Sequence, residues 1–319
     1  MAHDRRSIRA QAAAIMRKKT MPSGTKRHDL KQSARESGGD ARHIGVITST
    51  GTQKAYTDRL TYYGEWAKST HGVNNISAPD AGRYATEFLQ TCEARGMSPW
   101  SIQSYRSALR MVYGADTAAD YTAPAEAREN ITRGRYDTAR SRHFSEARNA
   151  DLVSFCCSTG LRRSELEHLT GGCASQHADG NWYIDSLRTA TGSHTKGGRD
   201  RDVRIIGTPE QIAATVERIN STPSDTLVWG RVHSAANIHS YRATYACTYY
   251  KQAYTARYGA YDGLRNQHVD RSDAYHCRGD MSGITLSRSA LVEVSHSMGH
   301  SRAGVIVESY IYQEFQSGE

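Results

Sequence analysis

The chain has 319 residues, with 41 Lys and Arg against 33 Asp and Glu. At roughly 150 residues per domain, this length predicts about two domains. The mean hydropathy is -0.68, and no apolar run approaches the roughly 20 residues of a membrane span, which excludes an integral membrane protein. The N-terminus lacks the apolar centre of a secretory signal, so we expect a cytoplasmic protein. The six cysteines form no C-x-x-C pair, which argues against a disulfide framework or a zinc site.

The net charge of +8 is distributed unevenly along the chain. Residues 1–45 hold 11 basic and 4 acidic side chains, whereas the remaining residues are almost neutral. The charge distribution therefore predicts that residues 1–45 form a basic N-terminal arm. It either contacts nucleic acid or forms a solvated, partly disordered tail, and the composition fits both readings equally.

Residues 46–116 have the pattern of a small helical domain. Apolar residues recur there at three- and four-residue steps in three stretches, which predicts three short helices. The stretches are Ala55–Lys68, Ala81–Leu89 and Ile102–Val112. Residues 117–143 lose this periodicity and contain five arginines, so they are predicted to form a linker.

Residues 144–319 form the second predicted domain. A helix ends at Gly160, and further helices are expected over residues 208–219 and 238–258. Strand-like segments flank a turn-rich stretch; they are Trp182–Leu187 and Asp202–Ile206. The fold class expected for the whole chain is therefore mainly α with a small β-sheet.

Two short segments carry oriented cationic side chains. Arg162 and Glu165 are three residues apart on one helix face, so the carboxylate can orient the guanidinium group towards a phosphate. His239 and Arg242 have the same spacing. Taken alone, the first pair is better explained as an ordinary surface ion pair, and H-x-x-R occurs often by chance.

Three further candidates follow from their positions. Lys196 lies in the turn between the two predicted strands, where a long flexible cation can reach a neighbouring site. His300 follows Met-Gly, and Tyr310 comes after an apolar stretch that follows it, with Tyr312 two residues further on.

The order of these residues is more specific than any one of them. With Arg, Lys, His-x-x-Arg, Gly-His and Tyr in this order, and the first arginine in T-G-L-R-R-S-E-L, the chain resembles the tyrosine recombinase (phage integrase) family over residues 48–315. The segment C-R-G-D and the stretch that follows it are similar to integrases of conjugative transposons and related integrative conjugative elements. The resemblance implies a helical core-binding (SAM-like) domain, followed by an α+β catalytic domain.

The resemblance also implies a role for each matching residue. Arg162 and Arg242 would bind the scissile phosphate, with Glu165 holding the site together, while His239 would accept the proton of the nucleophile. Lys196 would protonate the leaving oxygen, and His300 would donate a hydrogen bond to the phosphate. No cofactor or metal ion is expected, because the permanent charge of arginine can stabilise the phosphoryl oxygens. The implied catalytic set is Arg162, Lys196, His239, Arg242, His300 and Tyr310.

Two departures from the family pattern matter. The interval from His300 to Tyr310 is one residue longer than the commonest spacing, so Tyr312 stays open as an alternative nucleophile, with Tyr310 preferred. The interval from Arg242 to His300 is also long, which predicts an insertion near residues 255–285.

The implied function is site-specific DNA recombination through a 3′-phosphotyrosyl intermediate and a Holliday junction, which integrates or excises a mobile genetic element. A type IB topoisomerase-like enzyme and a non-catalytic DNA-binding relative are the alternatives. The implied partners are double-stranded DNA at recombination sites, three further copies of the chain in a homo-tetramer, and an accessory DNA-bending or excision factor. Groove or phosphate contacts, or else a solvated polar face, are expected at Ser101, Gln103, Ser104, Arg106 and Arg110.

Overall fold

The computed structural model describes residues 6–22, 24–39, 44–126, 143–265 and 267–312. The chain forms two compact units, Met1–Thr132 and Arg133–Glu319, and it is mostly helical with small antiparallel sheets. The expected class, mainly α with a small β-sheet, is confirmed. The predicted linker lies outside the described residues from 127 to 142. No helix in the described ranges has the length and apolar character needed to cross a membrane.

The first unit is a helical bundle. Its elements are α1 (Ile8–Lys18), α2 (Arg27–Glu36), α3 (Thr50–His71), a 3-10 helix (Pro79–Tyr84), α4 (Ala85–Ala94) and α5 (Pro99–Tyr113). The three predicted helices correspond to α3, to the 3-10 helix with α4, and to α5. Capping explains two of the helix starts: Ser49 accepts a hydrogen bond from the Thr52 amide at 3.1 Å, and Ser98 accepts one from the Ser101 amide at 3.3 Å.

The first part of the predicted basic arm is a helix packed into this bundle. Ile8, Ala12 and Met16 on α1 are buried in the apolar core of the unit. Gly64 on α3 permits the close approach, because a Cβ atom there would stand 2.5 Å from the Ile8 side chain. Gln11 is fully buried and donates to the Asn74 carbonyl at 2.9 Å. The basic side chains of α1 therefore belong to a folded helix and not to a solvated tail.

The second unit combines helices with two small sheets. Its helices are α6 (Ala150–Thr159), α7 (Arg163–His168), α8 (Leu187–Ala190), α9 (Pro209–Ser221), α10 (Ile238–Tyr258), α11 (Arg288–Ser297) and α12 (Gly304–Ile306), which continues into a π-helical turn (Val307–Ile311). Its strands are β1 (Ala174–Gln176), β2 (Trp182–Ile184), β3 (Val203–Arg204), β4 (Ala274–His276) and β5 (Thr285–Ser287). β1, β2 and β3 form one antiparallel sheet in that order, and β4 pairs with β5.

The two predicted strands are present but shorter than expected. β2 and β3 pair antiparallel, with Ile184 opposite Val203. β2 ends early because Ser186 adopts a left-handed conformation, with φ of +44°, and α8 begins directly after it. β1 was not predicted, because Ala-Ser-Gln carries no β-branched or aromatic residue.

The segment predicted as an insertion, residues 255–285, contains β4 and ends at the first residue of β5. Asp273, directly before β4, accepts hydrogen bonds from the Ser287 hydroxyl at 2.6 Å and from the Ser289 amide at 2.7 Å. Burial alone would raise the pKa of Asp273, but these hydrogen bonds outweigh it and lower the pKa. The carboxylate thus ties the hairpin to the start of α11.

The packing of α1 leads to a stability prediction. We expect Met16→Ala to lower the free energy of unfolding by about 2–5 kcal/mol, because it opens a cavity in the core of the first unit. Arg17→Ala is the matched control, since its side chain is exposed on the same helix, and it should change stability by less than about 0.5 kcal/mol. Urea denaturation followed by circular dichroism measures both. Equal, small effects would show that α1 is not part of the folded core.

Candidate active site

The first arginine is positioned by two consecutive helix ends. α6 ends at Gly160, whose φ of +58° turns the chain and whose missing Cβ leaves room for the ring of Tyr245. Arg162 then caps α7, where the Glu165 carboxylate accepts the backbone N–H of Arg162 at 2.8 Å and its Nη1 at 2.8 Å. The predicted pair is thus formed within one helical turn.

Glu165 is fully buried and binds a second guanidinium group that the sequence analysis missed. Arg201, two residues before β3, donates from Nη2 to Oε2 at 2.9 Å and from Nη1 to Oε1 at 3.2 Å. Burial alone would raise the pKa of Glu165, but the charges and hydrogen bonds of Arg201 and Arg162 lower it to about 2. The carboxylate is therefore ionised and shared between two arginines.

The C-terminal end of α11 receives three guanidinium groups. The Ser297 carbonyl accepts Nε of Arg201 at 2.8 Å. The Met298 carbonyl accepts Nη2 of Arg162 at 2.9 Å and Nη2 of Arg242 at 3.4 Å. The last carbonyls of a helix lack partners within the helix and carry its negative dipole end. The carbonyls of Ser297 and Met298 can therefore stabilise buried guanidinium groups.

Gly299 makes this convergence possible. Its φ is +74°, and a Cβ atom there would stand 2.8 Å from Nη1 of Arg201 and 3.1 Å from Nη1 of Arg162. Any other residue would meet both guanidinium groups. The chain turns at this glycine and brings His300 to the same place.

Arg242 lies in the interior, with 1% of its surface exposed. Its Nη1 donates to the Gly160 carbonyl and its Nη2 to the Tyr310 hydroxyl at 3.3 Å, while its Nε has no hydrogen-bond partner among the described residues. Burial, and also the charge of Arg162, lowers the pKa of Arg242. None of these hydrogen-bond partners carries a formal negative charge.

Tyr310 points its hydroxyl into this cluster. The oxygen lies 3.3 Å from Nη2 of Arg242 and 3.3 Å from Nε2 of His300. Tyr310 belongs to the π-helical turn, which holds one residue more than an α-helical turn would. The His300–Tyr310 interval, which the sequence analysis predicts to be one residue longer than the commonest family spacing, includes part of this turn. Tyr312 is half-buried and packs against the apolar core of the unit.

His300 is held in its neutral form. Its burial, followed by the positive charges of Arg162, Arg242, Lys196 and Arg201, lowers the pKa of the imidazole to about 4. Since Arg242 donates to the Tyr310 oxygen, the phenolic proton is available for Nε2 of His300.

The other two predicted catalytic residues lie at the edge of the cluster. Lys196 is exposed in a turn between β2 and β3, and its charge reaches His300. His239 is exposed on the first turn of α10, one turn before Arg242. The structure thus brings Arg162, Glu165, Arg242, His300 and Tyr310 into one cluster of direct contacts, and it leaves Lys196 and His239 on the surface.

The polar residues of α5 are divided between the surface and internal contacts. Gln103 is exposed. Arg106 donates from Nη2 to the Ala118 carbonyl at 3.3 Å, and Arg110 from Nε to the Thr117 carbonyl at 3.2 Å. Both arginines thus hold the segment that follows α5, and DNA contact by Ser101, Gln103, Ser104, Arg106 and Arg110 stays a prediction.

Three residues that the sequence analysis did not single out support the cluster. Besides Arg201, the buried Tyr245 shares a hydrogen bond of 2.7 Å with the Ser297 hydroxyl, and that hydroxyl accepts the Arg204 amide at 3.1 Å. α10, β3 and α11 are thereby joined beside the arginines. The only signal in the sequence is that Arg201 immediately precedes the predicted strand Asp202–Ile206. Other arginines lie in the turn-rich stretch before that strand, so this position does not single out Arg201.

Comparison with known proteins does not identify the chain, since neither a protein-family model nor a curated protein matches it. Within the described parts of the chain, no group of three or more His, Cys, Asp or Glu side chains could hold a metal ion.

The contact at Gly299 can be separated from its backbone conformation. We expect Gly263→Ala to cost about 1–2 kcal/mol of stability, because its φ is +80° but none of the described residues lies within 4 Å of an added Cβ. Gly299→Ala should cost about 1–3 kcal/mol more, because its Cβ also displaces the guanidinium groups. Chemical denaturation of both variants tests this. Equal losses of stability in the two variants would mean that Arg162 and Arg201 can move away from the added Cβ atom at no cost in free energy.

The shared carboxylate should also make stability depend on pH. The pKa of Glu165 falls from 4.5 to about 2 on folding, so its contribution is present above pH 4.5 and is lost as the pH falls towards 2. We expect Glu165→Gln to be less stable than the wild type by about 3 kcal/mol at pH 7, with the difference shrinking at pH 3. Urea denaturation at both pH values measures it. Glu217→Gln, at an exposed glutamate of α9, is the control, and a pH-independent difference would contradict the ionised state.

Proposed function

We propose that the chain is a tyrosine-type site-specific DNA recombinase, which cleaves and rejoins DNA strands and thereby integrates or excises a mobile genetic element. The observation that carries the proposal is a buried excess of positive charge beside a tyrosine hydroxyl. Arg162, Arg201 and Arg242 meet at one place, and Glu165 is the carboxylate that the structure pairs with the first two.

Buried charge of one sign calls for a ligand of the other sign. Desolvated cations without a counter-ion are costly, and helix-end carbonyls compensate them only in part. A phosphodiester supplies one negative charge and two non-bridging oxygens, which match the planar donor groups of arginine. Of Arg162 and Arg242, Arg162 is the more accessible, with 17% of its side chain exposed, so the phosphate would approach from the side of Arg162.

The proposed step is an in-line exchange at phosphorus. The Tyr310 oxygen forms a bond to phosphorus while the bond to the 5′ oxygen breaks, which leaves a 3′-phosphotyrosyl link and a 5′ hydroxyl. Arg162 and Arg242 stabilise the charge on the non-bridging oxygens. Lys196 supplies the proton that the departing 5′ oxygen takes up. Because the new ester conserves the bond energy, a 5′ hydroxyl of another strand can reverse the step without a cofactor.

The contacts favour His300 over His239 as the group that receives the phenolic proton. Nε2 of His300 lies 3.3 Å from the Tyr310 oxygen. With a pKa of about 4 the imidazole is neutral at pH 7 but a weak base, and the negative charge of a bound phosphate would raise this pKa towards that of an effective proton acceptor. His239, on the exposed first turn of α10, keeps a proposed role at the phosphate or the leaving group. Arg201 acts through Glu165, and it is a positioning residue.

In the resemblance to integrases, four copies of the chain would act on two DNA duplexes. Strands would be exchanged in two steps through a Holliday junction, with an accessory DNA-bending or excision factor selecting the direction. The first unit would supply part of the DNA-binding surface, through positioning contacts to phosphates. These assembly features belong to the proposal.

The nucleophile can be identified by covalent capture. Full-length protein is incubated with a library of nicked duplexes of randomised sequence, and the DNA that stays attached under denaturing conditions is recovered. Peptide mass spectrometry then locates the linked residue. We expect the DNA on Tyr310, no adduct with Tyr310→Phe, and retained adduct with the control Tyr312→Phe, because Tyr310 contacts the arginine cluster.

An undiminished adduct in Tyr310→Phe would overturn the assignment, and DNA found on Tyr312 would replace it. A captured duplex that is cleaved and resealed without ever joining to a second duplex would favour the topoisomerase-like alternative. A wild-type protein that binds these duplexes and forms no adduct would favour the non-catalytic relative.

A further inference from the structure

Two histidines outside the cluster form a stacked pair. His168 is the last residue of α7, and His194 lies two residues before Lys196. Their ring centroids are 3.6 Å apart and their planes differ by 8°. Nδ1 of His168 lies 2.8 Å from the Ser164 carbonyl, and Nδ1 of His194 lies 2.8 Å from the Thr191 carbonyl. Because a carbonyl only accepts, each Nδ1 donates, and both ring orientations are fixed.

The pair holds a segment with an unfavourable backbone. Within the lysine turn (residues 191–198), Gly192 has φ of +56° and Ser193 has φ of +71°, which is a costly conformation for a residue with a Cβ atom. Contacts from outside the segment support this shape, among them the hydrogen bond from the Ser193 amide to the Arg188 carbonyl of α8 at 2.7 Å. Those from α7 are the imidazole stack and the Ser164 hydroxyl, which lies 3.4 Å from the His194 carbonyl.

The same helix orients the first arginine. α7 begins at the cap residue Arg162 and carries Glu165, so the stack connects the lysine turn to the element that fixes the phosphate-binding side chains. We propose that His168 and His194 are positioning residues for Lys196, whose ammonium group their stacked rings hold at the reaction site. This inference rests on the proposed function, in which Lys196 protonates the leaving 5′ oxygen.

The first test needs no DNA. Hydrogen–deuterium exchange with mass spectrometry compares wild-type protein with His168→Ala and His194→Ala. We expect exchange in the lysine turn to rise by about 10-fold while α10 is unchanged, because the turn loses its support from α7. His177→Ala is the matched control, since His177 stacks on Tyr183 at 4.2 Å on the sheet of the same unit. Unchanged exchange in the lysine turn of both variants would overturn the proposal.

The second test separates positioning from general stability. Captured duplexes are prepared with oxygen or with sulfur at the 5′ bridging position of the scissile bond. A thiolate leaves without being protonated, because thiols have a pKa of about 8.5. We expect His168→Ala and His194→Ala to slow cleavage of the oxygen substrate by about 10-fold or more and to cleave the sulfur substrate at the wild-type rate.

Lys196→Ala should show the same pattern, and Arg242→Ala should lose both reactions. A variant of the pair that slows both substrates equally would show that the stack supports the fold without positioning the acid. If the wild type forms no adduct with either duplex, the proposed function fails, and the exchange experiment still decides whether the stack holds the turn.

Discussion

The arrangement of the arginine cluster in the second unit depends on the carbonyl groups at the C-terminal end of α11. Its last carbonyls and the Glu165 carboxylate together accept hydrogen bonds from three guanidinium groups, which lie at the N-cap of α7, just before β3, and on α10. Guanidinium groups cannot lose their charge in proteins, so each one must be paired or solvated. A helix end supplies fixed partial charges without adding a further carboxylate. The three elements are therefore fixed around a place that remains positively charged.

This arrangement explains the close packing nearby. Gly299 and Gly160 are needed because a side chain at either position would occupy the space of a guanidinium group or of a buried tyrosine ring. Tyr245 and Ser297 satisfy one another's hydroxyl groups and join the same elements. In a dry interior such a network is stable only if its members are satisfied. In the proposed function, a phosphate would add acceptor oxygens beside Arg242, whose Nε has no hydrogen-bond partner among the described residues.

The sequence predicts three helical segments of the first unit (α3, the 3-10 helix with α4, and α5), the β2–β3 pair and five of the side chains in the cluster, because helical periodicity and residue order are local signals. It does not predict Arg201, whose contact with Glu165 joins positions 36 residues apart. Nor does it predict that α1 is part of the bundle, since burial of Ile8 depends on Gly64 far along the chain. Local sequence patterns do not show which of several charged residues in a turn becomes buried, because burial depends on the tertiary packing.

The π-helical turn gives the final link between spacing and chemistry. In a regular helix, one residue more between His300 and Tyr310 would rotate Tyr310 by about 100° about the helix axis and would move its hydroxyl away from the arginines. By widening one turn, the chain absorbs that residue and keeps Tyr310 against Arg242 and His300. Tyr312, two residues further, packs on the apolar core instead. Within the proposed function, these contacts favour Tyr310 over Tyr312 as the nucleophile.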